Sequence, residues 1–286
     1  MKPAAFDYFA PRNLDEAVAL LAKHGEDGRV LAGGQSLVPT MAFRMARPAV
    51  LVDINRIEGL GHLSAQEGQL RIGALARHAH FESAVTPGPL GALLARVVRH
   101  IAHPPIRMRG TFCGSLAHAD PASEWCATTL ALGGTLVLRS AGADTREVAA
   151  RDWFQGVFTT AIRPGEMLVE VRLPVLGPEW SCGFAEFSRR AGDFALAMAV
   201  CALRLDRGLI REASIALGGL GGRPVLALEA AATLLGQVPS AEAASAAAEA
   251  AAAHCDPHSD VHAPAEYRRD LVRAMARRAL AQAGVA

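Results

Sequence analysis

The sequence predicts an α+β protein, and three observations indicate this class. Apolar residues recur at helical spacing near the N-terminus, three strand-like runs follow one another closely over residues 183–217, and the chain from residue 226 onward has helical periodicity. In the C-terminal part of the chain, strands and helices are thus grouped rather than alternating, which is typical of an α+β arrangement.

Residues 1–55 predict a small strand–helix unit. Asn13 is typical of a helix cap, and residues 14–22 then place their apolar side chains on one helical face. Strands are predicted over residues 29–32, which run into a pair of glycines, and over residues 50–54. We expect this unit to be the first of two small α/β subdomains.

Residues 56–177 predict a second subdomain that also combines strands and helices. Its predicted strands are 69–73, 135–139 and 167–173, and its predicted helices are 89–102 and 124–132. A loop rich in Pro, Arg and Gly is expected over residues 103–115. Gly177 and Pro178 then predict a linker, so that residues 1–177 form one domain.

Residues 178–286 predict a C-terminal domain. We expect a three-stranded antiparallel sheet from residues 183–189, 195–205 and 209–217, in which a turn at Arg207 and Gly208 joins the last two strands. The predicted helices of this domain are 226–235, 241–253 and 265–283.

Composition excludes several classes of function. The chain has 29 Lys and Arg against 28 Asp and Glu, and this balance argues against nucleic-acid binding through bulk positive charge. The only lysines are Lys2 and Lys23, which excludes a lysine-dependent P-loop and leaves poor candidates for Schiff-base chemistry.

The cysteines indicate a reduced protein without its own metal centre. They stand at positions 113, 126, 182, 201 and 255, with no Cys-x-x-Cys pair, so neither an iron–sulfur cluster nor a four-cysteine zinc site is expected in this chain. Their odd number is typical of free thiols in the cytoplasm. The longest strongly apolar run, residues 194–203, is half of what a membrane span requires. We therefore expect a cytoplasmic protein with no transmembrane segment.

Two glycine-containing segments are candidates for binding phosphate groups. In Gly33-Gly34-Gln35-Ser36, adjacent glycines allow positive φ and expose consecutive N–H groups, and the next two side chains add donors. Residues 111–115 present similar donors and are followed by the carboxylates of Asp120 and Glu124. An ordinary strand–helix turn and simple helix capping are the alternative interpretations.

Four segments carry a family resemblance. They are FDYFAPRNLDEAVALL at 6–21, AGGQSLVP at 32–39, RGTFCGSLAHADPASE at 109–124 and FSRRAGDFALA at 187–197. In this order and spacing they resemble the FAD-binding medium subunit of the molybdenum hydroxylases. That group includes the flavin subunit of bacterial carbon monoxide dehydrogenase and the flavin domain of xanthine dehydrogenase. The resemblance implies that the two predicted subdomains form a PCMH-type FAD-binding domain.

The resemblance also implies which residues bind FAD. Two loops would hold the pyrophosphate, namely Ala32, Gly33, Gly34, Gln35 and Ser36 in the first and Thr111, Phe112, Cys113, Gly114 and Ser115 in the second. Glu124 would lie near the ribityl or phosphate region and Leu168 against the isoalloxazine ring. Asp193 and Phe194 would lie near the reactive edge of the flavin.

The sequence departs from the family pattern at two positions. The second loop usually has two glycines, and Cys113 stands where the first is expected. Because a Cβ resists positive φ, we expect that loop to be slightly reshaped. Some relatives have a lysine near the flavin just before the Ser-Arg-Arg segment, where this chain has Ala185-Glu186-Phe187.

The function implied by the resemblance is electron transfer, with no catalytic residue in this chain. A large subunit with the molybdenum cofactor would oxidise the organic substrate, and a small [2Fe–2S] subunit would relay electrons to non-covalent FAD here. The assembly implied by the resemblance is a dimer of heterotrimers. Two alternatives stay open, a self-sufficient FAD oxidoreductase of the same fold and a flavin-free scaffold subunit. The organic substrate and the electron acceptor are not predicted.

Overall fold

The computed structural model describes residues 2–286, and its larger sheets define three lobes. The N-terminal lobe contains a parallel sheet of order β1-β3-β2. Its elements are β1 (Asp7–Phe9), α1 (Leu14–His24), β2 (Gly28–Leu31), α2 (Leu37–Ala42) and β3 (Val50–Asp53). Asn13 caps α1 as predicted, because its side-chain oxygen accepts a hydrogen bond from the backbone N–H of Glu16 at 2.9 Å.

The middle lobe is built on an antiparallel sheet of order β4-β5-β10-β6-β7. Its strands are β4 (Leu63–Gln66), β5 (Gln69–Gly73), β6 (Thr135–Arg139), β7 (Arg146–Ala149), β8 (Phe154–Gly156), β9 (Thr159–Thr160) and β10 (Met167–Pro174). Its helices are α3 (Gly88–Val97), α4 (Pro104–Arg107), α5 (Phe112–His118), α6 (Glu124–Ala131) and α7 (Ala150–Trp153). The aromatic rings of Phe81, Phe112 and Trp125 meet in its core, with the centroids of Phe112 and Trp125 4.7 Å apart.

The C-terminal lobe contains the antiparallel sheet expected from the sequence. Its strands are β11 (Trp180–Phe187), β12 (Ala197–Asp206), β13 (Leu209–Gly218) and β14 (Val225–Leu226). The first three are the predicted ones, and the two-residue β14 adds a fourth at the edge. Helices α8 (Leu228–Leu234), α9 (Ala241–His254) and α10 (Ala265–Gln282) complete the lobe.

This sheet is the shared wall between the middle and C-terminal cores. Along β12, Met198 and Val200 belong to the core of the middle lobe, whereas Ala197, Ala199 and Cys201 belong to the core under the C-terminal helices. Helices α3 and α6 pack on one face and α10 on the other. The α+β fold class is thereby confirmed, with three layers at its centre.

The predicted loop over residues 103–115 is wrong in detail. It contains α4 and the start of α5, because Pro104 suits the first turn of a helix and Thr111 caps the next one. Strand β1 was not predicted, since three half-exposed residues carry no periodic signal. Within residues 2–286, no helix has both the length and the apolar character that crossing a bilayer demands.

Candidate functional site

The glycine loop after β2 presents a run of backbone donors. Gly34 has φ of +73°, a left-handed conformation that glycine adopts without a Cβ clash. Among the described residues, the N–H groups of Gly33, Gly34, Gln35 and Ser36 have no hydrogen-bond acceptor. The side chain of Gln35 donates to the carbonyl of Gly33 at 2.9 Å and braces the loop from within. Consecutive unpaired N–H groups suit anionic oxygen atoms such as those of a phosphate.

The loop forms one wall of a cavity of about 290 Å³ between two lobes. Val38 and Pro39 of α2 line the cavity beside the loop. Asp53 and Asn55, at the end of β3, line it from the same lobe, and Arg109 lines it from the middle lobe. The cavity therefore lies where the N-terminal and middle lobes meet.

Gly33 is the point of closest approach between the lobes. A Cβ added to Gly33 would lie 2.3 Å from the carbonyl oxygen of Arg109 and 2.7 Å from the Cα of Gly110. The backbones of the two predicted loops are thus in direct contact at this point, and only glycine fits there. The structure thus brings residues 32–36 against residues 109–110, which lead directly into the 111–115 segment.

The second segment is the first turn of a helix rather than a glycine loop. Thr111 caps α5, and its Oγ1 accepts a hydrogen bond from the N–H of Gly114 at 3.0 Å. A Cβ on Gly114 would lie 2.6 Å from that Oγ1, which accounts for the glycine. Phe112 and Cys113 are buried in the core, and the N–H groups of Phe112 and Gly114 donate within the protein. This segment therefore offers a ligand the half-buried surface of Gly114 and Ser115.

The expected reshaping at Cys113 is wrong. Cys113 is not among the residues with positive φ, because it lies inside α5. Its thiol packs in the core and contacts the carbonyl of Ile72 at 3.5 Å. Burial raises the pKa of this thiol, so it remains protonated and acts as an apolar group.

A buried histidine is hydrogen-bonded to Gly110, just before α5. The Nδ1 of His78 accepts a hydrogen bond from the Nε1 of Trp125 at 3.0 Å, and the backbone N–H of His78 donates to the carbonyl of Gly110 at 3.0 Å. A Cβ on Gly110 would lie 2.7 Å from the His78 ring. Burial lowers the pKa of His78 to about 4, so this imidazole is neutral at physiological pH.

Glu124 belongs to a buried pair of carboxyl groups. It begins α6, and burial raises its pKa to about 7, with a further contribution from Asp120. Glu186 on β11 has a pKa raised to about 9 by burial and by the charge of Glu124. The Oε2 of Glu186 has no hydrogen-bond partner among the described residues, and the Nδ1 of His100 lies 4.0 Å away. Glu186 therefore holds a proton at neutral pH.

The remaining predicted residues do not line the cavity beside the glycine loop. Leu168 is on β10, next to α5, and is 5% exposed within the core of the middle lobe. Asp193 and Phe194 are exposed on the loop between β11 and β12, where Phe194 is 73% exposed. A Cβ on Gly192 would lie 2.7 Å from the His103 ring, so this loop rests on the turn before α4.

The N-terminal and middle lobes meet where residues 32–36 lie against residues 109–110, and we call this contact the seam. The seam fits a ligand with phosphate groups. Free N–H groups, an adjoining cavity and two segments in backbone contact are what close binding of a pyrophosphate requires. In agreement, residues 4–176 match the family of the FAD binding domain in molybdopterin dehydrogenase. Residues 183–283 match the C-terminal domain of carbon monoxide dehydrogenase flavoprotein.

The chain belongs to the FAD-binding medium subunits of the molybdenum hydroxylases. It is 40% identical over 284 residues to subunit alpha of the 6-hydroxypseudooxynicotine dehydrogenase complex of Paenarthrobacter nicotinovorans, covering 99% of this chain and 96% of that protein. It is 38% identical to the nicotine 6-hydroxylase medium subunit of the same organism, covering 99% of both chains. The resemblance drawn from the four segments is confirmed.

A solved structure from the medium-subunit family has the same fold throughout. A chain of the carbon monoxide dehydrogenase from Hydrogenophaga pseudoflava aligns with a TM-score of 0.94 at 35% identity, covering 99% of each chain. These relatives are subunits of oxidoreductases, so this member of the family is also a subunit of an oxidoreductase.

Three residues that border the seam in this family member were not predicted from the sequence. Asp53, Asn55 and Arg77 are hydrogen-bonded to one another or to the two loops. Asp53 lies in the predicted strand 50–54 and Asn55 directly follows it, and polar residues at a strand end beside a glycine loop were the available signal. Arg77 had no signal, since its partners are 22 and 32 residues away in the sequence.

Proposed function

We propose that this chain is the FAD-binding electron-transfer subunit of a multi-subunit molybdenum hydroxylase. The observation that supports this most is the backbone contact of Gly33 with the segment that leads into α5, beside a cavity of about 290 Å³ and four N–H groups that have no acceptor among the described residues. Bound there, FAD supplies reversible redox chemistry between a [2Fe–2S] subunit and an external acceptor. The organic substrate is oxidised elsewhere, on a large subunit with the molybdenum cofactor.

The chain's own residues bind and orient the cofactor without covalent attachment. Residues 32–36 hold the pyrophosphate through backbone N–H groups, with the Ser36 hydroxyl exposed for a further hydrogen bond. Residues 111–115 hold it from the middle lobe, where the half-buried Ser115 hydroxyl is a donor and the N–H groups of Phe112 and Gly114 already have acceptors within the protein. Glu124 lies near the ribityl or phosphate region and Leu168 near the ring. Asp193 and Phe194, exposed on their loop, lie near the flavin's reactive edge.

The proposed assembly has a large and a small partner and is a dimer of heterotrimers. The names of the relatives, a medium subunit and one subunit of a complex, support the presence of partner subunits. We propose residues 1–177 as the FAD-binding unit and 178–286 as the second domain. A cytoplasmic location is supported by the cysteines, all five of which are free and buried.

An absorption spectrum of the purified full chain tests the proposal. We expect flavin bands, and we expect the flavin to enter the supernatant when the protein is precipitated by acid. Flavin that stays with the precipitate would contradict non-covalent binding. A colourless chain that takes up no added FAD would favour the flavin-free scaffold.

Co-purification tests the place of the chain in a complex. When the chain is expressed with its two partner subunits, a tag on this chain should retain both partners in equal amounts. A chain that purifies alone under these conditions, with FAD bound, would favour a self-sufficient oxidoreductase of the same fold.

A further inference from the structure

A continuous set of hydrogen bonds closes the seam behind the glycine loop. Asn55 stands at its centre, just after β3 in the N-terminal lobe. Its side-chain Nδ2 donates to the carbonyl of Ala32 at 2.8 Å and to Oδ1 of Asp53 at 2.6 Å. Its Oδ1 accepts from Nη2 of Arg77, in the middle lobe, at 2.6 Å. Asn55 therefore connects the first residue of the glycine loop to the opposite lobe.

Asp53 fixes the orientation of the Asn55 amide. Its Oδ1 also accepts the backbone N–H of Asn55 at 2.9 Å, and its Oδ2 accepts the hydroxyl of Tyr8 on β1 at 2.5 Å. Although burial opposes ionisation, these hydrogen bonds lower the pKa of Asp53. An ionised carboxylate accepts only, so the Asn55 side chain must turn its amide nitrogen toward it and its oxygen toward Arg77.

Arg77 extends the set to the second loop. Its Nη1 donates to the carbonyl of Arg109, the same oxygen that faces Gly33 at the closest approach. Main-chain contacts reinforce the position, since Arg77 forms a β-bridge with Thr111 and the N–H of Phe112 donates to the carbonyl of Ala76. One guanidinium thus holds the Asn55 amide on one side of the seam and the Arg109 carbonyl on the other.

We propose that Asn55 and Arg77 are positioning residues that set the spacing of the two cofactor loops. The inference rests on the proposed function of this seam. By fixing the carbonyls of Ala32 and Arg109, the pair orients the neighbouring N–H groups before the cofactor arrives, so that binding costs less ordering. Neither residue has to touch FAD for this effect.

The alternative is that Asn55 and Arg77 only hold the two lobes together and do not affect the cofactor loops. A second arginine provides the comparison, because Nη2 of Arg139 on β6 reaches Oδ1 of Asp15 on α1 at 3.4 Å. This ion pair joins the same two lobes, and neither residue lines the cavity. Arg139→Gln is therefore the control for removing an arginine contact between the same two lobes away from the cavity.

Equilibrium titration of the FAD-free full chain with FAD distinguishes the two readings. Asn55→Asp keeps the acceptor for Arg77 but turns an oxygen toward the Ala32 carbonyl, and Arg77→Lys keeps the charge but cannot bridge both partners. We expect each variant to weaken FAD binding about tenfold or more at a temperature where circular dichroism shows both to be folded. Arg139→Gln should leave the dissociation constant within about twofold of wild type.

The double variant gives a second readout that general destabilisation would not produce. Because either change alone opens the seam, Asn55→Asp combined with Arg77→Lys should weaken binding about as much as one change, not by the product of the two. The inference is overturned if both single variants bind FAD as wild type does, or if Arg139→Gln weakens binding equally. Failure of the wild-type chain to bind FAD would instead overturn the proposed function itself.

Discussion

The two glycines of the first loop serve different purposes at the scale of single residues. Gly34 is needed for its backbone conformation, with φ of +73°, whereas Gly33 is needed for space. Its hydrogen atom faces the Arg109 carbonyl, so a side chain would push the two lobes apart. The sequence motif alone shows two adjacent glycines and not which of these requirements each one meets.

Gly33→Ala should push the two lobes apart at the seam while the rest of the fold persists. The added Cβ would lie 2.3 Å from the Arg109 oxygen, so we expect FAD affinity to fall about tenfold or more. The ratio of flavin to protein absorbance in the purified variant measures this. Gly61→Ala is the matched control, because no heavy atom lies within 4 Å of its added Cβ and Gly61 is not at positive φ. Equal flavin content in both variants would remove Gly33 from the site.

Glu186 makes stability depend on pH in a direction that can be worked out. Its pKa rises from 4.5 to about 9 on folding, mainly through burial and then through Glu124. Between these values the folded chain holds a proton that the unfolded chain has lost. The free energy of unfolding therefore falls as pH rises through this window, by up to about 1.4 kcal/mol per pH unit.

Glu186→Gln should remove this pH dependence. In the FAD-free protein we expect a higher unfolding temperature than wild type at about pH 8 and a similar one at about pH 5. Thermal unfolding followed by circular dichroism over that range measures the difference. The exposed Glu58→Gln should leave the profile unchanged. A variant less stable than wild type at about pH 8 would mean that Glu186 is ionised and held by a partner in the fold.

At the scale of elements, α5 shows what the sequence could and could not reveal. Thr111 and Gly114 were predicted as donors in a loop, but they form a helix cap in which the glycine makes room for the threonine hydroxyl. The Asn13 helix cap and the three long C-terminal strands were predicted because each is indicated by residues that are close together in the sequence. The Asn55–Arg77 contact is not local, and no pattern along the chain indicates it.

The helical position of Cys113 reverses the effect expected of a glycine there. Cys113→Gly should not relieve strain, because the residue is not at positive φ. It should lower the free energy of unfolding by about 1 kcal/mol or more beyond the effect of Cys113→Ala, because alanine keeps the Cβ in the core and is a good helix former. Urea unfolding of the two variants measures the difference. FAD affinity should be the same in both, and tighter binding by the glycine variant would restore the reshaped-loop interpretation.

At the scale of the whole molecule, the sheet of the C-terminal lobe joins the flavin-binding lobes to the helical end. Strand β12 is buried on both faces, which explains why its sequence reads as a continuous apolar run rather than an alternating one. In the proposed division of labour between subunits, this chain contributes the cavity beside the glycine loop, where FAD would bind.

Anaerobic mixing with substrate tests the central claim most directly. The isolated FAD-loaded chain is mixed with N-heterocyclic or aldehyde substrates, and the assembled complex is mixed with the same compounds while flavin absorbance is followed. We predict that the flavin stays oxidised in the isolated chain, because without the molybdenum centre the substrate faces an unassisted barrier, and that it is bleached in the complex. Rapid substrate-driven bleaching in the isolated chain would contradict the subunit account and establish a self-sufficient oxidoreductase.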